Sequence, residues 1–352
     1  MKAKAYLDDI NRFDSSHLDR LSMVRLDRNE RVTAWEPEAW EAIRQVITPE
    51  VILSYPEFGP VYEKMAAHLD VKPHNLLLTH GSDIALRSIF DVYINAGDEA
   101  VMVTPTYAMY PVYAQIVGAK AVEVGFRKDL SLPFSDIRNA ITERTRIVCL
   151  PNPNQPIERV FNPEEIEEAV HLSEMHDFLL VIDEAYFYFH PHTCVPLAMK
   201  HANVIVTRTF SKAFGLAGVR AGLIVADKSR IAEIKKVKPI SEINHVAVKL
   251  IELLLDNIDW VDHYVEQVNA GREVVLKRAG AMGIQTHGES GNSILLKLNN
   301  EEQVRKIVSG AKEQGYLIKG PFEYPADHHV RITLGPPEIM ERVMNILERI
   351  YQ

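Results

Sequence analysis

The chain's most reactive-looking stretch is 207–220, Thr-Arg-Thr-Phe-Ser-Lys-Ala-Phe-Gly-Leu-Ala-Gly-Val-Arg. Lys212 stands beside Ser211, with Thr209 just before it and small residues after it. Hydroxyls and backbone N–H groups in such a loop form an anion-binding concavity. Arg220, eight positions on, adds a planar fork that suits a phosphate. Burial and nearby cations would lower the pKa of Lys212 and make it an imine-forming nucleophile. The other reading is a surface lysine in a glycine-rich turn. A second signal is Asp183, which ends the apolar run Phe178–Ile182 and is followed by Glu184, Ala185 and Tyr186. An acid just past a buried parallel strand lies at the carboxyl edge of the sheet, where α/β proteins bind ligands. There it could hold a cation protonated, cap the strand or ligate a metal. No metal-ligand spacing accompanies it.

These residues need a scaffold, and the pattern supplies one. Short apolar runs at 76–79, 100–103, 121–124, 146–150, 178–182, 203–207 and 221–226 read as strands. Between them, 82–93, 107–117 and 163–176 read as helices, the last opened by Asn162-Pro163-Glu164-Glu165. Strands alternating with helices indicate βαβ units and a mainly parallel sheet covered on both faces. After Lys228 the pattern changes. Helices at 229–237, 244–256 and 260–281 precede strands at 293–297 and 329–333, with a helix at 301–314, a short run at 316–319 and a final helix from 337 to 350. The expectation is a three-layer α/β domain over 46–255 and a smaller α+β domain over 256–352. The first 45 residues read as a polar, irregular arm lying on the small domain or on a partner subunit.

Composition excludes several classes. Of 352 residues 47% are hydrophobic and 25% charged, as in ordinary globular proteins rather than disordered chains. No apolar stretch approaches the ~20 residues of a membrane span. A net charge of −9 with dispersed Lys and Arg argues against nucleic-acid binding. The two cysteines, Cys149 and Cys194, cannot build a disulfide framework or a four-cysteine zinc site. Residues 1–11 lack the apolar core of a signal peptide, so the expected location is cytoplasmic. His190 and His192, and the pair His328–His329, lack a helical metal-ligand pattern and read as structural or surface residues.

Asp183 to Tyr186, followed by Ser211-Lys212 and Arg220, resembles the fold-type I pyridoxal-phosphate enzymes. The likeness is to the histidinol-phosphate aminotransferase branch of the class I/II aminotransferases, and it spans residues 26–336. It implies pyridoxal 5'-phosphate as cofactor, held by Lys212 as the Schiff-base lysine, which then shuttles a proton. Asp183 would pair with the pyridinium nitrogen and so keep the ring an electron sink. Tyr186 would bond the phenolate, and Thr209, Ser211 and Arg220 would hold the phosphate. Thr79-His80-Gly81-Ser82-Asp83 fits a strand, turn and helix start whose Ser82 and Asp83 amides suit a phosphate. By resemblance, Tyr107 stacks on the ring, Arg331 clamps the substrate carboxylate, and Asn29 belongs to a segment closing over the substrate. Ser54-Tyr55-Pro56 resembles a motif whose tyrosine reaches the neighbouring subunit's cofactor, which implies a homodimer with shared sites.

The resemblance has two breaks. The family's Asn-Asn-Pro-Thr-Gly reads Asn154-Gln155-Pro156-Ile157-Glu158 here, so the cofactor-facing amide falls on Gln155. Lys319 stands where histidinol-phosphate enzymes place an arginine. The expected function is an aminotransferase acting between an amino acid, or an amino-acid-derived phosphate, and an oxo acid. The alternative is a decarboxylase on the same scaffold, because pocket geometry selects the bond that is broken. A cofactor-binding regulator would need a DNA-binding module, for which there is neither room before Leu26 nor a basic face. A dinucleotide dehydrogenase would need a G-x-G-x-x-G turn after its first strand, and none is present.

Overall fold

The structure is a computed structural model and describes residues 10, 19–190 and 192–351. Strand β1 (Val24–Leu26) comes first. Seven strands then build the main sheet: β2 (Leu76–Thr79), β3 (Glu99–Thr104), β4 (Lys120–Gly125), β5 (Thr145–Pro151), β6 (Leu179–Asp183), β7 (Val204–Thr209) and β8 (Gly222–Ala226). Their order is β2-β8-β7-β6-β5-β3-β4. All pairings are parallel except those of β8, which runs antiparallel to both β2 and β7. Thr79 and Thr209 both pair with Gly222, so the start of β8 lies beside the carboxyl ends of its two neighbours.

Side-chain alternation builds the layers. Leu78, Val101, Val148, Leu180, Ile182 and Val206 pack into one buried cluster. Leu77, Met102, Cys149, Val181 and Ile205 pack into the other, against helix Gly81–Tyr93. Strand β6 is buried along its whole length, as expected for a central strand covered on both faces. The helix start at Asn162 is a complete capping box: Asn162 Oδ1 accepts from the Glu165 N–H at 2.8 Å, and Glu165 Oε2 accepts from the Asn162 N–H at 3.0 Å.

The C-terminal part carries β9 (Thr286–His287), β10 (Ser293–Lys297), β11 (Tyr316–Ile318) and β12 (His329–Thr333). β10 is the centre of an antiparallel sheet with β12 and β9, while β11 pairs with β1 in parallel. Helix Ile258–Ala281 packs on the last helix, Pro337–Tyr351. The expected irregularity of the first 45 residues needs correcting. Within the described residues, β1 supplies a sheet partner to β11, and Pro37–Val46 is a helix with Ala39 and Ile43 buried. The reason is tertiary: three residues of β1 carry no local signal and become a strand through a pairing some 290 residues away in sequence. Residues 1–9 and 11–18 of that arm lie outside the described residues.

Candidate active site

Four chain segments meet at the carboxyl edge of the main sheet. Asp183 ends β6 and is buried. Its Oδ2 accepts a hydrogen bond from the Tyr110 hydroxyl at 2.7 Å, while its Oδ1 is buried without a partner. Burial pushes the Asp183 carboxyl up from its ordinary pKa, and its hydrogen bonds pull it part of the way back. An unpartnered carboxylate oxygen in such a place is costly and asks for a cationic donor.

Lys212 follows β7. Its Nζ donates to the Arg28 carbonyl at 2.9 Å and lies 5.8 Å from the centre of the Tyr186 ring. Burial is the main cause lowering its pKa to about 8, with Arg331 and Arg220 adding to it and Glu30 and Asp183 opposing. A lysine in this state carries free amine near neutral pH, as an imine-forming nucleophile requires.

The residues expected to hold a phosphate meet around two glycines. Arg220 takes the left-handed conformation, φ +59°, and its guanidinium approaches Ser211 Oγ at 3.4 Å. It also lies against Gly81: a Cβ on that residue would come within 2.7 Å of Arg220 Nη2. Gly222 is closer still to the helix start, where any Cβ would collide with Gly81 and the Ser82 nitrogen. Two glycines thus bring the guanidinium and the first amides of helix Gly81–Tyr93 together. Ser82 and Asp83 occupy the first turn, whose N–H groups have no intrahelical acceptor. The Thr209 hydroxyl accepts from the Ser211 N–H at 3.1 Å, which orders the same loop. The Asp83 carboxylate accepts from the hydroxyls of Tyr107, at 3.0 Å, and Tyr113.

The fourth segment comes from the N-terminal arm and the C-terminal sheet. Asn29, 1% exposed and left-handed at φ +56°, donates from Nδ2 to the Tyr186 hydroxyl at 2.9 Å. Thr333 and Asn292 hold its backbone, and Arg331 donates to the Asp27 carbonyl at 2.8 Å. Arg331 Nε is buried without a partner, and charge couples Arg331 to both Tyr186 and Lys212. The backbones of Lys319 and Arg331 pair as an antiparallel bridge. Gln155 is buried; its Oε1 accepts from Ser293 Oγ at 2.9 Å and its Nε2 has no partner.

Lys212, Asp183, Tyr186, Ser82, Asp83, Tyr107, Gln155, Thr209, Ser211, Arg220, Asn29 and Arg331 are thus linked by contact or by charge around one edge. Tyr55 stands apart, 81% exposed on the surface. Helix Met109–Ile116 begins two residues after Tyr107, later than the helix expected from 107. Sequence reasoning missed Tyr110, whose hydroxyl donates to Asp183 from inside the helix after β3 and which no motif singles out. It also missed Ser293 and Asn292, which only the β10 pairing brings to Asn29.

A family model for class I and II aminotransferases matches residues 23–347. The chain belongs to that family. It is a pyridoxal-phosphate-dependent aminotransferase. Among its relatives, the histidinol-phosphate aminotransferase of Thermoanaerobacter sp. (strain X514) is 29% identical over 331 residues, covering 93% of this chain and 92% of the relative. That of Methanocaldococcus jannaschii is 28% identical over 338 residues, covering 93% and 89%. In fold the aminotransferase is similar to the crystal structure of histidinol-phosphate aminotransferase from Sinorhizobium meliloti in complex with pyridoxal 5'-phosphate, with a TM-score of 0.88 at 22% identity over 99% and 97% of the two chains. These findings do not favour the decarboxylase alternative. The residues fit the cofactor: the orphaned Asp183 oxygen suits a ring N–H, and the glycine-backed cradle suits a phosphate. Among the described residues no helix is long and apolar enough to cross a membrane.

Proposed function

We propose that the aminotransferase binds its cofactor through Lys212 and acts on an amino acid or a phosphorylated amino-acid derivative. The observation that carries this reading is the meeting of a lysine with its pKa lowered to about 8 and a buried carboxylate with one free oxygen. When bound, the pyridoxal ring takes up electrons from the substrate's α-carbon. Asp183 keeps the ring nitrogen protonated, and Tyr110 keeps Asp183 in place. Lys212 Nζ would hold the cofactor, and its amine, with a pKa of about 8, would move the proton at the substrate carbon. Tyr186 and Gln155 would hold the ring's hydroxyl, and Tyr107 would stack on the ring. Thr209, Ser211, Arg220 and the Ser82 and Asp83 amides hold the phosphate, where a helix N-terminus and a guanidinium favour the same charge.

Arg331 and Asn29 hold the substrate. The unpartnered Nε of Arg331 supports a carboxylate or phosphate there. Curated relatives named for histidinol phosphate support a phosphorylated substrate, and the pairing of Lys319 with Arg331 places a second basic residue at the same level of the strand. We also infer a homodimer with shared sites. Tyr55, Leu53 and Ile52 form an exposed apolar run that a second copy would cover while bringing Tyr55 to its cofactor. A division into residues 46–255 and 256–352, with the arm on the smaller part, agrees with β1 pairing to β11. Two buried free thiols support a cytoplasmic location.

The test is a cofactor titration followed by substrate. Protein loaded with pyridoxal 5'-phosphate should show a visible band that Lys212→Ala abolishes. Candidate donors should bleach that band and yield an oxo acid without CO₂. A band that survives in Lys212→Ala refutes the lysine assignment. For the dimer, mixing Lys212→Ala with Tyr55→Ala subunits should restore activity through hybrid sites; a monomer by sedimentation refutes it.

A further inference from the structure

The segment leaving β5 is rigid. Asn154 is buried; its Nδ2 donates to the carbonyls of Pro105, at 3.1 Å, and Ile157, at 2.8 Å, while its Oδ1 accepts from Thr106. Ile157 is fully buried. Glu158 then leaves the main sheet and reaches the loop 288–291, between β9 and β10. Its Oε1 accepts from the N–H groups of Glu289, at 2.6 Å, and Ser290, at 2.7 Å, and its Oε2 accepts from the Gly291 N–H at 2.7 Å. The Glu158 carbonyl also meets His287 Nε2 at 2.8 Å. On the loop's other side, the buried Arg272 donates from Nη2 to the Gly291 carbonyl at 2.5 Å and from Nη1 to the Gly288 carbonyl at 3.5 Å. A carboxylate faces the N–H groups and a guanidinium faces the carbonyls, so both charges match the peptide dipoles. The fit is close: a Cβ on Gly291 would lie 2.7 Å from Gln155 Nε2 and 3.2 Å from Glu158 Oε2.

The clamped loop runs directly into the site. Its next residue, Asn292, donates to the Asn29 carbonyl at 3.0 Å. Ser293 then donates to Gln155 at 2.9 Å and accepts from Asn29 Nδ2 at 3.4 Å, and the same Nδ2 bonds Tyr186. Resting on the site reading proposed above, we propose that Glu158 is a positioning residue: through loop 288–291 it sets where Ser293 and Asn292 stand, and so fixes the amides of Gln155 and Asn29 that would meet the cofactor's hydroxyl. Its carboxylate is taken up by the three amides of the loop.

The experiment compares Glu158→Ala and Glu158→Gln with the parent protein by hydrogen exchange at residues 289–291 and by pH titration of the visible band of the cofactor-loaded enzyme. Glu158→Ala removes the charged acceptor of three amides. Their exchange should rise by at least about tenfold, since one hydrogen bond to a charged group is worth ~1.5–3 kcal/mol. The midpoint of the band should move as the Asn29–Tyr186 contact shifts. Glu158→Gln keeps one acceptor oxygen and should fall between. Faster exchange with an unmoved midpoint overturns the proposal, as does unchanged exchange. If Glu158→Ala fails to fold, Ser293→Ala decides: it must move the midpoint while leaving exchange at 289–291 as it was, and any other pattern overturns the proposal.

Discussion

Gly222→Ala is the most direct test of how the backbone makes the anion cradle. A Cβ at position 222 would lie 2.9 Å from the Gly81 Cα and nearer still to the Gly81 carbonyl carbon and the Ser82 nitrogen. Ordinary contact begins at 3.4 Å, so the Gly81 Cα alone requires β8 and the helix start to part by 0.5 Å, and the two nearer atoms require more. Neither side is a flexible side chain. Overpacking of this kind costs ~1–3 kcal/mol of stability. The shift also carries the Ser82 N–H away from the phosphate position. Losing one charge-assisted hydrogen bond costs ~1.5–3 kcal/mol, which is roughly 10- to 150-fold in cofactor affinity. Titration of the cofactor-free protein with pyridoxal 5'-phosphate measures the affinity, and thermal unfolding measures the stability. Gly218→Ala serves as control, because a Cβ there meets nothing within 4 Å. If Gly222→Ala is destabilised but binds the cofactor as the parent does, Ser82 plays no part in the cradle and the argument fails.

Three further outcomes are expected. The rate at which cofactor-free protein captures pyridoxal 5'-phosphate should rise with pH through a midpoint near 8, since Lys212 becomes neutral above that value; a midpoint near the ordinary 10.5 would contradict the burial argument. Glu184→Ala should destabilise the fold by ~3–5 kcal/mol, because it leaves the buried Arg208 without the carboxylate it pairs with at 2.8 Å; unfolding by denaturant checks this, and a loss below ~1 kcal/mol contradicts it. Arg331→Leu should raise KM for a carboxylate- or phosphate-bearing donor by about 10- to 150-fold, the worth of a charge-assisted hydrogen bond, and an unchanged KM would remove Arg331 from the substrate site.

The main sheet was legible because its signals are local. Each strand from β2 to β8 is a short apolar run, and Ser293–Lys297 and His329–Thr333 also fall where the sequence reads as strand. The candidate edge was legible for a different reason: Asp183 ends β6, Lys212 follows β7 by three residues and Arg220 stands two residues before β8, so each lies near a strand end. What was not legible depends on pairing across the chain. β1 has three residues, and only β11 makes it a strand. The helices Gly59–Leu69 and Phe134–Ala140 also escaped, the second because seven residues give too short a period to read. The substitution at 158 was visible as a break in pattern, but its partners were not, because three backbone amides have no side-chain signature.

The antiparallel course of β8 explains why one loop can carry both the lysine and the phosphate clamp. β7 delivers Thr209 to the carboxyl edge, and the chain then spends twelve residues there before β8 takes it back. Had β8 been parallel, the chain would have crossed to the far edge before it, taking Arg220 and Gly222 away from Lys212. Because it is antiparallel, Gly222 pairs with both Thr79 and Thr209, and the lysine loop, the arginine and the first turn of helix Gly81–Tyr93 share one corner. Asp183, one strand further in at β6, pairs with Thr207 rather than Thr209, so it lies two residues deeper in the sheet. That offset separates the functions along one axis. On the proposed reading an anion would be held at the rim, where Ser82, Asp83 and Arg220 are partly exposed, and the carboxylate lies below, where burial raises its pKa and makes a cationic partner worth most.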